Sequence, residues 1–330
     1  MNNAERFLEE FGKIDDEFLK EAMNYTMKKR FNFKPIIAIA ACAALALAAV
    51  PVVNHFVNTP GIENPDDGND TMFTVYESGM HDSITMGNHK VELVLKTERS
   101  PFTDNSKIGS DKTITLNGLK WTGEYYTSRS ETDYVASVDK YTGVSNGKNV
   151  KFIINSVTGK CEYFSVDTSG ETEGKILTRD ELYRIAYENF MNGGYTDDPE
   201  NYTLKTEFDQ GAGGYCFKFS RFVNGIETCE YVVLNFTKDG KFSGYIGNRI
   251  GEMKDVDVSG IDTDKLYAAV ETKLKAIYAD AYVNFDKNGA VLTKLTDGSY
   301  VFDYHVNVSV KNDKGENILD GCYLTVTMGK

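Results

Sequence analysis

No lysine or arginine occurs between Lys34 and Lys90. Inside that gap lies an apolar run, Pro35 to Val53, with no charged residue at all. On its N-terminal side stand Lys28, Lys29, Arg30 and Lys34; on its C-terminal side stand Glu63, Asp66, Asp67 and Asp70. Histidine is scarce, with four scattered residues, and cysteine is sparse, with five and no CxxC pair. That scarcity excludes a disulfide-dense scaffold and any zinc site built on clustered ligands. There is no Gly-x-Ser-x-Gly elbow, no His-Glu-x-x-His and no phosphate loop. The residues predict a chain that is not an enzyme, with no catalytic residues, no cofactor and no metal.

The nineteen residues from Pro35 to Val53 would span about 28 Å as a helix, close to the thickness of a bilayer's hydrocarbon core. The one-sided basic flank places residues 1–34 in the cytoplasm and the rest of the chain outside. Two other readings exist. Ala46-Leu47-Ala48 suits cleavage of a signal peptide, and Ile39-Ala40-Ala41-Cys42 resembles an acylation box. An uncleaved anchor fits best, because thirty-four residues of capped helix make an unusual signal-peptide start, and the apolar run continues well past Cys42. Residues 1–34 carry seven acids and seven bases, so the whole formal charge of −13 falls beyond the apolar run. An acidic exterior argues against nucleic acid as a partner.

Residues 1–34 read as a cytoplasmic headpiece of two short helices. Phe7 and Phe11 line one face of the first, which ends at Gly12. Asp15 caps the second, with Ile14 and Leu19 at the spacing of a hydrophobic staple. Phe18, Leu19 and Met23 continue the apolar stripe towards the membrane. Helices this short are marginal alone. The stripe (Phe7, Phe11, Phe18, Leu19, Met23) is either a docking element for a cytoplasmic partner or an amphipathic segment resting on the bilayer.

Residues 54–72 form a linker rich in Pro, Gly, Asn and Asp. Beyond it, turn dipeptides such as Asn117-Gly118, Asn146-Gly147 and Asn224-Gly225 separate alternating Tyr, Phe, Val and Ile runs, the pattern of antiparallel hairpins. Residues 73–170 read as a β-rich extracellular domain. Two helices then interrupt the strands. Thr178 and Glu181 form a capping box for the first, and the second begins near Asp262. Similar strands follow each helix, which predicts two helix-plus-antiparallel-sheet repeats, 171–254 and 255–330. The expected fold class is α+β: a short helical segment, one transmembrane helix, then this β-rich exterior. A two-residue turn at Asn224-Gly225 would set Cys229 opposite Ser220 and Cys216 opposite Val233, too far apart to bond. Cys161, Cys216, Cys229 and Cys322 are therefore expected as free thiols.

The succession INSVTGKCEYFS, LTRDELYRIAYENF and YCFKFSRFVNGIETCEYVVLNFTKDGKFSGY resembles the PepSY-like repeats of bacterial envelope proteins. In those repeats a strand ending in Asn/Asp-x-x-Thr-Gly-Lys precedes a helix, and an aromatic hairpin follows it. With FGKIDDEFLKEA, the basic stop and the Ala-rich span, the whole chain also resembles single-pass membrane proteins of Gram-positive bacteria that accompany extracytoplasmic-function sigma factors. These resemblances imply a membrane-anchored, anti-sigma-factor-like regulator. Its headpiece would meet a sigma factor or another cytoplasmic protein, and its exterior would meet an unidentified ligand or protein. The alternative they imply is a surface-anchored PepSY-like binding or protease-inhibitory module with no cytoplasmic role.

Overall fold

The computed structural model describes residues 73–78, 91–169, 174–209, 214–278, 282–283, 289–311 and 314–328. The headpiece, the apolar run and the linker lie outside the described residues. Among the described residues no helix is long and apolar enough to cross a membrane.

The first strands are β1 (Phe73–Glu77), β2 (Pro101–Phe102), β3 (Asp111–Leu116), β4 (Leu119–Arg129), β5 (Val138–Ser145), β6 (Lys148–Asn155) and β7 (Cys161–Val166). Helix α1 (Arg179–Asn192) precedes β8 (Tyr202–Asp209), β9 (Tyr215–Val223), β10 (Ile226–Phe236) and β11 (Phe242–Asn248). Helix α2 (Thr263–Ile277) precedes β12 (Tyr282–Val283), β13 (Val291–Lys294), β14 (Tyr300–Lys311) and β15 (Asn317–Met328).

These strands form one connected sheet, which overturns the expected pair of helix-plus-sheet repeats. The junction is β10. Its partner along one edge is β9, while its other edge is divided between β13, which pairs in parallel with Glu227 and Thr228, and β11, which pairs antiparallel with Tyr231–Phe236. From β11 the sheet continues through β7, β6 and β5 to β4. From β13 it continues through β14 and β15 to β1. Strands from residues 73–166 thus close both ends of a sheet whose centre comes from the later chain. Local periodicity shows where a strand lies; it does not show which distant strand pairs with it.

Local signals act as the sequence predicts at several points. Asn117-Gly118, Asn146-Gly147 and Asn224-Gly225 all take positive φ at both residues, the turn whose twist matches a hairpin. Thr178 and Glu181 exchange backbone hydrogen bonds as a capping box at α1. Asp262 caps α2 by accepting from the Asp264 and Lys265 amides.

The Asn224-Gly225 hairpin departs from the expected register. Ile226 faces Val223, but a bulge between Glu227 and Tyr231 sets Ser220 opposite Tyr231, and Cys216 opposite Asn235. The partner of Cys216 shifts by two positions, and Cys229 falls inside the bulge. All four described thiols are free.

Two large cores lie on the sheet. Leu182, Ala186 and Phe190 of α1 pack on Phe217, Phe219 and Phe236, and this core extends to Trp121, Phe152 and Phe164. Phe190 stacks on Phe219 with ring centroids 4.3 Å apart. Leu266, Val270 and Leu274 of α2 pack on Phe302, Leu324 and Val326, together with Phe73 from β1. A smaller cluster of Leu95, Tyr134, Leu295 and Val301 ties the segment before β2 and the loop after β4 to the far half of the sheet.

Candidate functional site

Because β10 is buried on both faces, its two glutamates need partners inside the protein. Glu227 has them in Lys205, at 3.0 Å, Ser220, at 2.9 Å, and Lys218, at 3.4 Å. Glu230 is fully buried. It accepts the amides of Gly251, at 2.6 Å, and Met253, at 2.9 Å, and the hydroxyl of Tyr202. The Arg221 guanidinium lies 3.3 Å from it and also bonds Asp198. Burial works to raise the Asp198 pKa, but the bond from Arg221, followed by Thr196, outweighs it and holds the carboxyl below its usual range.

Glu230 therefore clamps the 249–253 loop, and that loop forms one wall of a cleft. The other wall is the β6–β7 turn. Asn155 Oδ1 accepts the amides of Val157 and Thr158, both at 2.9 Å, and its Nδ2 donates to Glu162 at 2.7 Å. This is an Asx-type turn held by one side chain. Lys160 crosses the cleft and donates to the Ile250 carbonyl at 2.8 Å. Gly251, at φ +83°, leaves room for this crossing; a Cβ there would sit 3.0 Å from Lys160 Nζ. The Asn-x-x-Thr-Gly-Lys residues that carry the PepSY-like resemblance thus build a turn and then close a cleft with their lysine. Val157, at the tip of that turn, is 77% exposed.

Arg249 anchors the loop wall. Its φ of 55° is unusual for a residue other than glycine and implies backbone strain. Its Nε and Nη2 both donate to Glu252 Oε2, at 2.9 and 2.6 Å. Its Nη1 is buried with no hydrogen-bond partner among the described residues. Across the cleft Glu162 lies 3.9 Å from Arg99. Burial pushes the Glu162 carboxyl above its usual range, against the opposing pull of Arg99 and Asn155. The free volume is about 10 Å³, room for a single water-sized particle.

Cys161 also lines the cleft, but burial pushes its thiol up to about 12. Burial likewise raises Cys216 to about 12 and Cys229 to about 11. A thiol held neutral is a poor nucleophile. In the native protein at pH 8 the buried Cys216 and Cys229 should resist a thiol-specific chromogenic reagent and react once urea unfolds the chain. Rapid reaction of either in the native state would contradict this burial.

Phe7, Phe11, Phe18, Leu19 and Met23 lie outside the described residues. His305 stacks on Tyr323, with ring centroids 4.3 Å apart, on the paired strands β14 and β15. Among the described residues no group of three or more His, Cys, Asp or Glu is placed to hold a metal. Sequence reasoning missed Arg249, Glu252, Glu230 and Arg221. Glu230 alone carried a signal, being an acid inside the apolar run ETCEYVVL.

No family model matches the chain, and no curated protein matches it. Among solved structures, the Bacillus megaterium YpeB C-terminal domain aligns with 65% of this chain and 90% of its own, at 13% identity and a TM-score of 0.32. Likeness at that level carries no argument about function.

Proposed function

We propose that the chain is a single-pass, membrane-anchored regulatory protein of the anti-sigma-factor-like kind. Its N-terminus lies in the cytoplasm, and its non-enzymatic β-sheet domain binds a ligand or protein outside. The observation that carries this reading is the uncharged run Pro35–Val53, flanked by bases on one side and acids on the other. The headpiece stripe of Phe7, Phe11, Phe18, Leu19 and Met23 supports a cytoplasmic partner, with a sigma factor as the leading choice. Full-length chain carrying a photo-crosslinking amino acid at Phe18 should capture a sigma factor in cells. A cysteine introduced at Glu63 should react with an impermeant maleimide in intact cells, and one introduced at Lys13 should not. Loss of residues 1–48 from the mature chain, or reversed labelling, would overturn the reading.

The alternative is a surface-anchored, PepSY-like binding or protease-inhibitory module. It is favoured by the place of Asn155, Thr158 and Lys160 at a cleft, with Val157 of the same turn exposed. On that alternative, deleting residues 2–26 leaves function intact.

A further inference from the structure

The loop that joins β4 to β5 reaches across to the far half of the sheet and plugs it with a tyrosine. Thr132 shapes the loop: its hydroxyl accepts the Tyr134 and Val135 amides, both at 3.2 Å. Two joints hold it down. On one side Asp133 donates to the Lys96 carbonyl at 3.1 Å, and Lys96 donates back to the Asp133 carboxylate at 2.8 Å. On the other, Thr296 in the β13–β14 turn donates its amide to the Asp133 carbonyl at 2.8 Å. Tyr134 is fully buried against Leu95, Leu295 and Val301, and its hydroxyl lies 3.4 Å from Asp303 Oδ1. Phe302 and Tyr304 belong to the core under α2, so Asp303 between them points to the opposite face, beneath this loop.

The groups that touch Asp303 are the Tyr134 hydroxyl from the loop, Thr293 from β13 and Thr325 from β15, and none of them is basic. Tyr76 of β1 lies beyond Thr325; Glu227 of β10 lies beyond Val291 and is held by Lys205 and Lys218. Along β14, His305 is next on the same face, exposed and stacked on Tyr323. Asp133 adds a negative charge beside Tyr134, whose own hydroxyl is kept un-ionised by burial and then by Asp303. We infer that the 130–136 loop is a proton-operated latch: it stays docked while Asp303 holds its proton, and loss of that proton releases it from the β13–β14 hairpin with the sheet still folded. Ionised in place, Asp303 is a buried charge with no counter-ion, and release of the loop admits water to it. Burial sets the docked carboxyl at about 7, and hydration returns it to its ordinary value of about 4. Docking is therefore fully favoured below about pH 4 and loses that advantage as pH rises to about 7. Release bares Leu95, Leu295 and Val301, an apolar surface that only the open form presents.

The test is hydrogen exchange of the full-length chain in detergent, resolved to single amides and corrected for the intrinsic pH dependence of exchange. The Thr296 amide, bonded across the joint, reports release, and the Leu234 amide in the centre of β10 reports unfolding of the sheet. From pH 5 to pH 8 the opening constant at Thr296 should rise on the order of a hundredfold, as two carboxyl values about three units apart require. At pH 8 it should exceed that at Leu234 at least tenfold, because release precedes unfolding. Asp303→Asn cannot ionise and should leave the Thr296 opening constant flat across the range, while His305→Gln should leave the rise intact. No rise, a rise that survives in Asp303→Asn, or equal opening of Thr296 and Leu234 would overturn the latch. If Asp303→Asn does not fold, the native chain and His305→Gln decide: a rise lost with the imidazole assigns the switch to His305 and overturns it. None of these readouts depends on whether the chain spans a membrane.

Discussion

Glu230→Ala should lower the unfolding free energy by about 3–5 kcal/mol, the usual cost of removing one member of a buried ion pair. The side chain is fully buried in the strand shared by both halves of the sheet. Its loss strips the acceptor from the Gly251 and Met253 amides and from the Tyr202 hydroxyl. Arg221 keeps Asp198 but loses its second carboxylate. Glu230→Gln retains an acceptor of the same shape and should cost less, so the pair of variants separates charge from hydrogen bonding. Urea unfolding followed through Trp121 measures both. A loss below about 1 kcal/mol in the alanine variant would show that the loop does not depend on this clamp.

The second large effect is a dependence of stability on pH set by Asp303. This carboxyl on β14 is buried among Thr293, Thr325 and Tyr134, and burial pushes its pKa up to about 7 against their hydrogen bonds. Tyr134 and Thr325 both donate to Oδ1. Thr293 lies on the paired strand β13 and pulls in the same direction as these two. Asp133, on the loop beside Tyr134, adds a like charge near the site.

The sign follows from proton binding. Between the unfolded value near 4 and the folded value near 7, the folded chain holds a proton that the unfolded chain has lost. The stabilisation is therefore complete below about pH 4, declines as pH rises, and is gone above about pH 7. Asp303→Asn keeps the shape, supplies a donor towards Thr293 and cannot ionise. Relative to the native chain it should be more stable at pH 8 by a few kcal/mol, with the difference shrinking towards pH 4. Urea midpoints across that range measure this, and a difference that does not change with pH would refute the assignment.

What the sequence made legible is local. Thr178, Glu181 and Asp262 cap helices because a short oxygen side chain before an apolar repeat satisfies orphan amides wherever it occurs. The Asn-Gly pairs turn because asparagine and glycine tolerate positive φ. What stayed hidden depends on distant residues. The bulge between Glu227 and Tyr231 moved the partner of Cys216 by two positions and took in Cys229, and nothing in CFKFSRFVNGIETCEY marks it. The similar strands after each helix suggested separate repeats, yet β10 serves both halves. The site was half visible. Asn155–Lys160 stood out as a motif, while the opposing Arg249 and Glu252 lie about ninety residues away and read as an ordinary surface loop.

The pairing of β1 with β15 bears on how the protein is made. The first described strand pairs with the last one, Phe73 facing Met328 and Glu77 facing Leu324. Roughly 250 residues separate them, which at ordinary synthesis rates is a delay of about 12–50 s. Throughout that interval the Phe73 and Val75 side chains lack the surface that later covers them. The half of the sheet built on β4–β7 can close while the chain is still emerging, but the core under α2 waits for β14 and β15. A chain truncated before β15 leaves β1 without its strand partner, so the last strand to be made decides whether the first is covered.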